Sequence, residues 1–400
     1  MKRDYIFTSE SVTAGHPDKL CDRISDEIVD SYLRQDPAAR VRAVAAVSGG
    51  VLFLAVRFLS TAHVDISQTA RDVVAQVGYL DGDFNASDCT VMTNLLSLRP
   101  DRLLSKNIET LPEDRLDTIT VSNEATLFGY ACNQTETLMP LPIFLAHALT
   151  RQLDRVCADH ELPYLLPDAS ALVGVAFKDR QPIRIHSITL VVCQREANTP
   201  IPRILEDDLQ RTVIEPVFRD LALKPDAQTQ ILVNPEGPLV GGGPMFHSGL
   251  TGHKIAMDAY GEFGRQGGSA LSGKDPLRID RVGAYTARYV AKQIVAAGLA
   301  DQCEVQLSYS IGHARPVSLQ IETFGSAKLP EEEIQEHIHK LFDFRLASII
   351  RYFRLQSLPM ERGMSGFYGP LAVYGHFGRQ QLDLPWERLD LVDRLKALAF

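Results

Sequence analysis

The side chains best suited to phosphate chemistry lie in a glycine-rich segment at residues 241–280, where ten of forty residues are glycine. Glycine permits positive φ and close backbone approach, so backbone N–H groups can surround an anion. Lys254 and Lys274 would add point charges for phosphate oxygens. Asp275 and Asp280 could hold a hard cation beside them. The pattern favours a phosphate site, although a turn-rich surface loop has the same composition.

A second candidate stretch, residues 7–19, ends in His16, Asp18 and Lys19. Apolar residues of helical period follow it directly, namely Leu20, Ile24, Ile28 and Tyr32. A helix N-terminus attracts anions through its free N–H groups and its dipole. Taken alone, Asp18 could also be an ordinary first-turn residue and His16 a surface histidine.

Together the two stretches resemble the S-adenosylmethionine synthetases (methionine adenosyltransferases), and the resemblance runs over nearly the whole chain. Further motifs of that family follow in the same order. They are FGYA at 128–131, LMP at 138–140, GLTG at 249–252, SGKDP at 272–276, ARYVAK at 287–292, IVAAGLA at 294–300 and YGHFGR at 374–379.

The resemblance implies that the adenosyl group of ATP moves to a thioether, with the triphosphate chain as the leaving group that is then hydrolysed to pyrophosphate and phosphate. A thioether sulfur carries no proton, so the protein must align the reactants and stabilise charge on the leaving group. The resemblance implies His16 and Lys274 as catalytic phosphate contacts. It implies Asp18 and Asp280 as ligands of magnesium.

The remaining contacts implied by the resemblance divide between nucleotide and acceptor. Those on the ATP and phosphate side, besides His16 and Lys274, are Asp168, Ser170, His253, Lys254 and Ala270. Those on the acceptor side are Arg57, His247 and Arg278. Arg278 stands where the family has a lysine that meets the methionine carboxylate, an exchange that keeps the charge.

The chain departs from the family pattern at several of these positions. Ser170 replaces a lysine, His253 an arginine, and His247 an aspartate that contacts both substrates. Arg57 replaces the glutamate for the methionine ammonium, and Val44 the glutamate that holds potassium, so the potassium site is expected to be lost. The other departures are Pro238 and Leu239 for Arg-Phe, Leu98 for glutamine, and residues 122–125 for Gly-Asp-Gln-Gly. The phosphate and magnesium groups thus persist, whereas the ammonium site is reversed in charge.

The expected activity is adenosyl transfer, with methionine as the family's default acceptor. One alternative is an anionic acceptor held by Arg57, His247 and Arg278. Others are hydrolysis of triphosphate alone, and a regulatory subunit without catalysis that pairs with a true synthetase. Arg57 could instead be an outward-facing strand residue, and His247 a polar loop residue.

Length and composition narrow the class of protein. Four hundred residues suit two or three domains. A net charge of −9 argues against nucleic acid or an anionic membrane as partner. The six scattered cysteines indicate free thiols in a reducing compartment. The most apolar stretch, 41–59, is interrupted by arginines and glycines, and no leader pattern precedes it, so a cytoplasmic location is expected.

A threefold internal repeat predicts the architecture. Each unit reads helix, strand, turn, strand, helix. The predicted elements are 18–34, 41–47, 51–59 and 67–77; 141–156, 171–177, 183–192 and 206–217; and 281–297, 304–310, 317–323 and 331–342. The fold class is therefore α+β, with three similar α/β subdomains related by pseudo-threefold symmetry, each a sheet with helices on one face.

The predicted domains span 1–105, 118–235 and 236–390. The polar stretch 100–122 is expected to be a boundary and a mobile loop, and the resemblance implies that it covers the active site. The other face of each sheet is also fairly apolar, which predicts a homodimer or tetramer formed through sheet faces. The resemblance implies active sites between subunits.

Overall fold

The computed structural model describes residues 4–98 and 107–399, so the domain limit predicted at residue 105 lies outside the described residues. The N-terminal repeat has the predicted order of helix, two strands and helix, flanked by two further strands. Its elements are β1 (Asp4–Val12), α1 (Pro17–Gln35), β2 (Arg40–Ser48), β3 (Val51–Leu59), α2 (Ile66–Val77) and β4 (Thr90–Ser97).

The central repeat follows the same order. Its elements are β5 (Ala125–Cys132), α3 (Leu141–Ala158), β6 (Leu165–Lys178), β7 (Gln181–Gln194), α4 (Pro202–Leu209), α5 (Glu215–Phe218), β8 (Gln230–Val233) and β9 (Leu239–Val240). A single π-helical turn, Gln210–Ile214, joins α4 to α5, so the helix predicted at 206–217 begins earlier, at Pro202. Strands β6 and β7 are longer than predicted.

The C-terminal repeat contains the remaining helices and strands. Its elements are β10 (Gly249–Leu250), α6 (Ile255–Asp258), α7 (Ile279–Ala296), β11 (Gln302–Tyr309), β12 (Ser318–Glu322), α8 (Glu331–Leu341), α9 (Leu346–Phe353), α10 (Leu358–Arg362) and α11 (Val392–Ala399). Short 3-10 turns occupy Ile108–Thr110, Glu113–Thr118, Gly243–Met245, Gly363–Ser365, Gly369–Leu371, Gln380–Leu382 and Pro385–Glu387. No described helix is long and apolar enough to cross a bilayer.

Local signals set the ends of the helices that position the site. Pro17 stands in the first turn of α1, and the His16 side chain accepts the Asp18 N–H at its N-cap. Helix α2 begins after Asp65, whose carboxylate accepts a backbone N–H, and ends at Gly78 in the left-handed region. Each predicted helix and strand of the three repeats is present, and the predicted fold class is confirmed.

The three units exchange strands, which the repeat did not predict. Each antiparallel pair (β2–β3, β6–β7 and β11–β12) gains a strand from another unit. Strand β1 pairs with β6, β5 with β11, and β10 with β2, so the units form a closed ring. Strand β9, which lies beyond the predicted limit at residue 235, pairs with β7 of the central sheet.

Helices lie inside this ring and sheets outside. Helix α7 is buried from Ile279 to Val295, and α1 is buried along most of its length. The outer sheet faces remain apolar, as predicted, with Val51 and Phe53 on β3 each 41% exposed and Ile183 on β7 53% exposed.

Four buried aspartates form a row along α1, one at every fourth residue. They are Asp18, Asp22, Asp26 and Asp30. This spacing places them on one helix face, and each contacts the C-terminal repeat. Asp26 pairs with the buried Arg281 and accepts the Gly273 N–H at 2.7 Å. Burial raises the pKa of Asp26 to about 6 and that of Asp30 to about 7.

The polar stretch 100–122 was expected to be a mobile boundary loop. Its residues 100–106 lie outside the described part of the chain. The rest packs against the C-terminal repeat, with Ile108, Leu116 and Ile119 buried and the Ile108 N–H donated to Gln356 at 2.7 Å. Three apolar side chains spaced through a polar stretch explain why this part is anchored.

Asp26→Ala should lower the free energy of unfolding by about 3–5 kcal/mol, because it leaves the Arg281 guanidinium buried without a carboxylate. Urea unfolding followed by circular dichroism measures the change. The matched control is Asp72→Ala on the exposed face of α2, expected within about 0.5 kcal/mol of wild type. Equal midpoints for the two variants would contradict a structural role for the row.

Candidate functional site

The predicted site residues fall into two clusters along β2. Strand β10 pairs with β2 at Val47 and Ala46, whereas Lys274 bridges to β2 at Arg42. These points lie about 15 Å apart along the strand. The histidine cluster comprises His16, Asp18, Asp168, His247 and His253, and the lysine cluster comprises Arg42, Arg57, Asn123, Lys274, Arg278 and Asp280.

His16 is a neutral hydrogen-bond donor. Its Nδ1 accepts the Asp18 N–H at 3.2 Å, so the ring proton must sit on Nε2. Burial lowers the pKa of His16 to about 4, despite the nearby carboxylates of Asp168 and Asp18. At neutral pH the ring therefore offers one N–H, as an anion requires.

Asp168 and His247 form the second part of this cluster. Oδ2 of Asp168 accepts the Gly243 N–H at 2.8 Å and the His247 Nε2–H at 2.7 Å. The hydrogen bond to Asp168 raises the pKa of His247. The His247 ring lies 4.8 Å from that of His16 between centroids.

The ligand atoms of His16, Asp168 and His247 lie within 4.8 Å of one another, a spacing that a transition metal could use. A metal needs a free nitrogen lone pair from each histidine. In His16 the Asp18 N–H occupies the Nδ1 lone pair and Nε2 carries the proton. The arrangement therefore favours an anion over a metal ion at this point.

Asp18 anchors the glycine-rich turn that follows β10. Its Oδ1 accepts the Leu250 N–H at 3.0 Å and the His253 Nδ1–H at 3.1 Å. Lys254, the next residue, pairs with Glu10 of β1 at 3.0 Å. The turn is close-packed, because a Cβ on Gly252 would lie 2.2 Å from the Cβ of Ala270.

Ser170 lies on β6, half-buried, two residues after Asp168 and opposite Val12 of β1. Its place on β6 is close to Asp168, but within the described residues its side chain makes no hydrogen bond to a member of the histidine cluster. A serine there adds a hydroxyl but no charge.

Lys274 and Asp280 form the centre of the lysine cluster. Lys274 Nζ lies 3.4 Å from Asp280 Oδ2, and burial lowers the pKa of Lys274 to about 8. Asn123 Nδ2 donates to both Asp280 oxygens, at 3.2 and 3.3 Å. Gly273 lets the chain pass β2 here, because a Cβ would lie 2.1 Å from the Ala43 carbonyl oxygen.

Several buried polar atoms of the lysine cluster have no partner among the described residues. They are Arg278 Nε, Asn123 Oδ1 and the neighbouring Ser272 Oγ. Arg278 otherwise makes one long contact, from Nη1 to Ser122 Oγ at 3.5 Å. Unpaired buried polar atoms are costly, and a ligand bound in this cluster could supply partners for these three.

Arg57 lies exposed on the outer face of β3, directly opposite Arg42 of β2. Neither arginine pairs with a carboxylate within the ranges 4–98 and 107–399. With Lys274 beside Arg42, three cations share one row of the sheet. The half-buried Val44 follows two residues along the same face of β2 and provides no oxygen ligand.

The expected acceptor residues do not share one cluster within a single chain. Arg57 and Arg278 belong to the lysine cluster and His247 to the histidine cluster, because β10 and Lys274 contact different ends of β2. Arg42 was not among the predicted site residues, although the register of the predicted β2–β3 hairpin places it opposite Arg57. Glu10 carried no local signal, because its contact is 244 residues away along the chain.

Family models match the chain in three consecutive ranges. The N-terminal, central and C-terminal domains of S-adenosylmethionine synthetase match residues 4–99, 118–239 and 241–388, respectively. Together these ranges cover both clusters and most of the described chain.

Curated relatives match at full length. The chain is 47% identical to the S-adenosylmethionine synthase of Gloeothece citriformis, with 99% of this chain and 97% of the relative aligned. It is 47% identical to that of Microcystis aeruginosa, over 99% and 98%. It is 46% identical to that of Synechococcus elongatus, over 99% and 98%.

The two neighbouring histidines should titrate differently. A depressed pKa makes the folded state bind fewer protons than the unfolded state, so the His16 contribution to stability is lost as pH falls from about 6.5 towards 4. A raised pKa means that the His247 contribution is present below about 6.5 and lost as pH rises through its folded pKa. Histidine ring NMR signals measured from pH 5 to 8 should show His247 titrating and His16 unchanged.

His16→Gln and His247→Gln assign the two signals. A His16 ring that protonates near pH 6.5 would contradict the neutral donor, and so would a shared titration of both rings.

Proposed function

The chain belongs to the S-adenosylmethionine synthetase family, and we propose that it transfers the adenosyl group of ATP to a thioether acceptor. The observation that carries the proposal is that each cluster combines anion donors with at least one buried carboxylate. His16 with Asp18, and Lys274 with Asp280, match a magnesium–triphosphate chain that must be both cradled and neutralised.

The proposed step needs no proton transfer at the acceptor. The sulfur lone pair forms a bond to ribose C5′, the C5′–O5′ bond breaks, and its electron pair stays on the triphosphate. The neutral His16 Nε2–H and the Lys274 ammonium are suited to stabilising that charge. Lys254 and His253 are proposed further along the phosphates, with Asp168, Ser170 and Ala270 towards the nucleoside. Hydrolysis of the released triphosphate to pyrophosphate and phosphate would follow.

Asp18 and Asp280 are the proposed magnesium ligands. Each is at least nine-tenths buried; Asp18 contacts His253 at 3.1 Å, and Asp280 contacts Lys274 at 3.4 Å. Magnesium in phosphate sites commonly uses one or two carboxylates and takes its other ligands from the phosphates and water, so one carboxylate per cluster fits. When bound, the ion neutralises phosphate charge. With Val44 in place of a carboxylate, we propose no potassium dependence.

Two copies of the chain are proposed to complete each active site. The clusters lie about 15 Å apart along β2 in one chain, and the outer sheet faces beside them carry exposed Val51 and Phe53. A two-fold dimer through these faces would let one chain supply the histidine cluster and the other the lysine cluster. A tetramer, or a heteromer with a true synthetase, would use the same faces. The six unpaired cysteines support a cytoplasmic location.

Family membership implies methionine as the acceptor, whereas the row of cations favours a second candidate acceptor. Arg57 and Arg42 stand together without a carboxylate partner in the described residues. An ammonium group placed there meets like charge, whereas a carboxylate or phosphate on the acceptor meets opposite charge. We therefore propose an anionic thioether acceptor as the alternative, with Arg57 and Arg278 from one chain and His247 from the other. Triphosphate hydrolysis alone and a non-catalytic regulatory role remain alternatives that product analysis separates.

Lys274→Ala should weaken tripolyphosphate binding about ten- to a hundredfold, because one charge-assisted contact contributes roughly 1.5–3 kcal/mol. Calorimetry with magnesium and tripolyphosphate measures it. The control is Lys340→Ala, an exposed lysine on α8, which should bind as wild type does. No binding by wild type, or equal binding by Lys274→Ala, would favour the non-catalytic role.

Wild-type protein with ATP, magnesium and methionine should form far less S-adenosylmethionine than the Gloeothece citriformis relative assayed beside it. Arg57→Glu should raise that turnover by about tenfold or more, because it replaces repulsion of the ammonium by attraction. Mass spectrometry of the products measures both. Arg203→Glu, an exposed change on α4, is the charge-matched control. Robust wild-type turnover at millimolar methionine would restore methionine as the acceptor.

A further inference from the structure

A cavity of about 950 Å³ separates the central repeat from the C-terminal segment 374–381. Helix α3 forms one wall and the segment forms the other. None of its lining residues belongs to the histidine or the lysine cluster. The volume suits a small organic molecule.

Arg379 is buried on this cavity with an incompletely satisfied guanidinium. The residue is 7% exposed. Its Nη1 donates to the carbonyls of Val373, Pro370 and Gly375, at 2.7, 3.4 and 3.4 Å, whereas its Nε is buried without a partner among the described residues. Burial, with the Arg151 charge nearby, lowers the pKa of Arg379 to about 10. A buried cation with no carboxylate is costly unless a ligand supplies the negative charge.

Arg151 brings a second cation to the same place. Its guanidinium lies 5.2 Å from the centroid of the Tyr374 ring, and that of Arg379 lies 5.6 Å from it. No carboxylate within residues 4–98 and 107–399 pairs with either arginine. The nearby Asp154 instead accepts the Tyr374 hydroxyl and the Ala14 N–H. Two like charges near one ring repel each other, and an anion bound to both would relieve that repulsion.

The other charged groups that line the cavity are Glu136 and Asp220, both exposed. Their exposure lets water screen them, so the buried Arg379 dominates the inner wall. The apolar wall includes Met139, Phe144 and Phe377. The cavity is thus lined by two guanidinium groups and by apolar side chains.

We propose that this cavity binds a small organic anion, with a phosphate or carboxylate group held by Arg151 and Arg379 and an apolar body against Met139, Phe144 and Phe377. Guanidinium groups bind both kinds of oxyanion through paired N–H donors. The Tyr374 ring is held by its hydroxyl contact with Asp154, and both guanidinium groups lie near that ring. The site is independent of the adenosyl transfer proposed above.

Calorimetry on the full-length protein tests the proposal with three probes: phenyl phosphate, benzoate and phenyltrimethylammonium. Phenyl phosphate or benzoate should bind saturably and the cation should not, and the stronger of the two anions identifies the head group. Arg151→Gln should weaken the anion about tenfold or more, since it removes one charge-assisted fork. The matched control is Arg155→Gln, an exposed arginine one turn further along α3 and outside the cavity lining, which should bind within about twofold of wild type.

Arg151 is exposed and has no hydrogen bond in the described chain, so Arg151→Gln should keep the wild-type circular dichroism spectrum. Binding of both anions that is unchanged in Arg151→Gln would place them elsewhere and overturn the proposal. Absence of saturable anion binding to wild type, or an equal loss in Arg155→Gln, would overturn it too.

Discussion

The row of buried aspartates along α1 is the constraint on which both clusters depend. Carboxylates in a low-dielectric interior are costly and repel one another, so each must find N–H donors or a cation. The C-terminal repeat supplies most of these partners, through Leu250, Gly252, Gly273 and Arg281 and the backbone of 367–369, and Lys19 of α1 itself pairs with Asp22. The glycine-rich segment is thereby fixed along one helix, which sets the positions of its lysines and histidines.

The exchange of strands between repeats brings residues of all three repeats to the site. Because β10 completes the N-terminal sheet and β1 the central one, the histidine cluster gathers residues from all three repeats. His16, Asp168 and His247 come from different units, yet Asp168 and His247 are hydrogen-bonded and the His16 ring contacts that of His247. A chain with a net charge of −9 can hold a polyanion only where such local donors are concentrated. Burial keeps His16 neutral. In the lysine cluster, Arg278 Nε and Asn123 Oδ1 remain available for hydrogen bonds to a ligand.

Much of this could be predicted from the sequence, because the signals were local. The period of Leu20, Ile24 and Ile28 predicted α1, and alternation predicted β2 to within one residue at each end and β3 with its observed ends. The exchange of β1 into the central sheet left no local mark, since its partners are more than 150 residues away. The aspartate row was visible as a four-residue spacing but reads equally well as a solvated face. Arg57 and His247 belong to different clusters because β10 and Lys274 contact different positions of β2. These contacts can be read only from the folded chain.

Complementation between two inactive chains tests the central claim, that each active site takes one cluster from each of two copies. His16→Ala and Lys274→Ala are unfolded together, mixed in equal amounts and refolded, and magnesium-dependent tripolyphosphate sites are counted by calorimetry. Half of the dimers should be mixed, and each should carry one intact site and one doubly altered site, so about a quarter of the wild-type stoichiometry should return. Each variant refolded alone should show almost none. A mixture that binds no more than the separate variants would contradict the account, because both clusters would then serve a single chain.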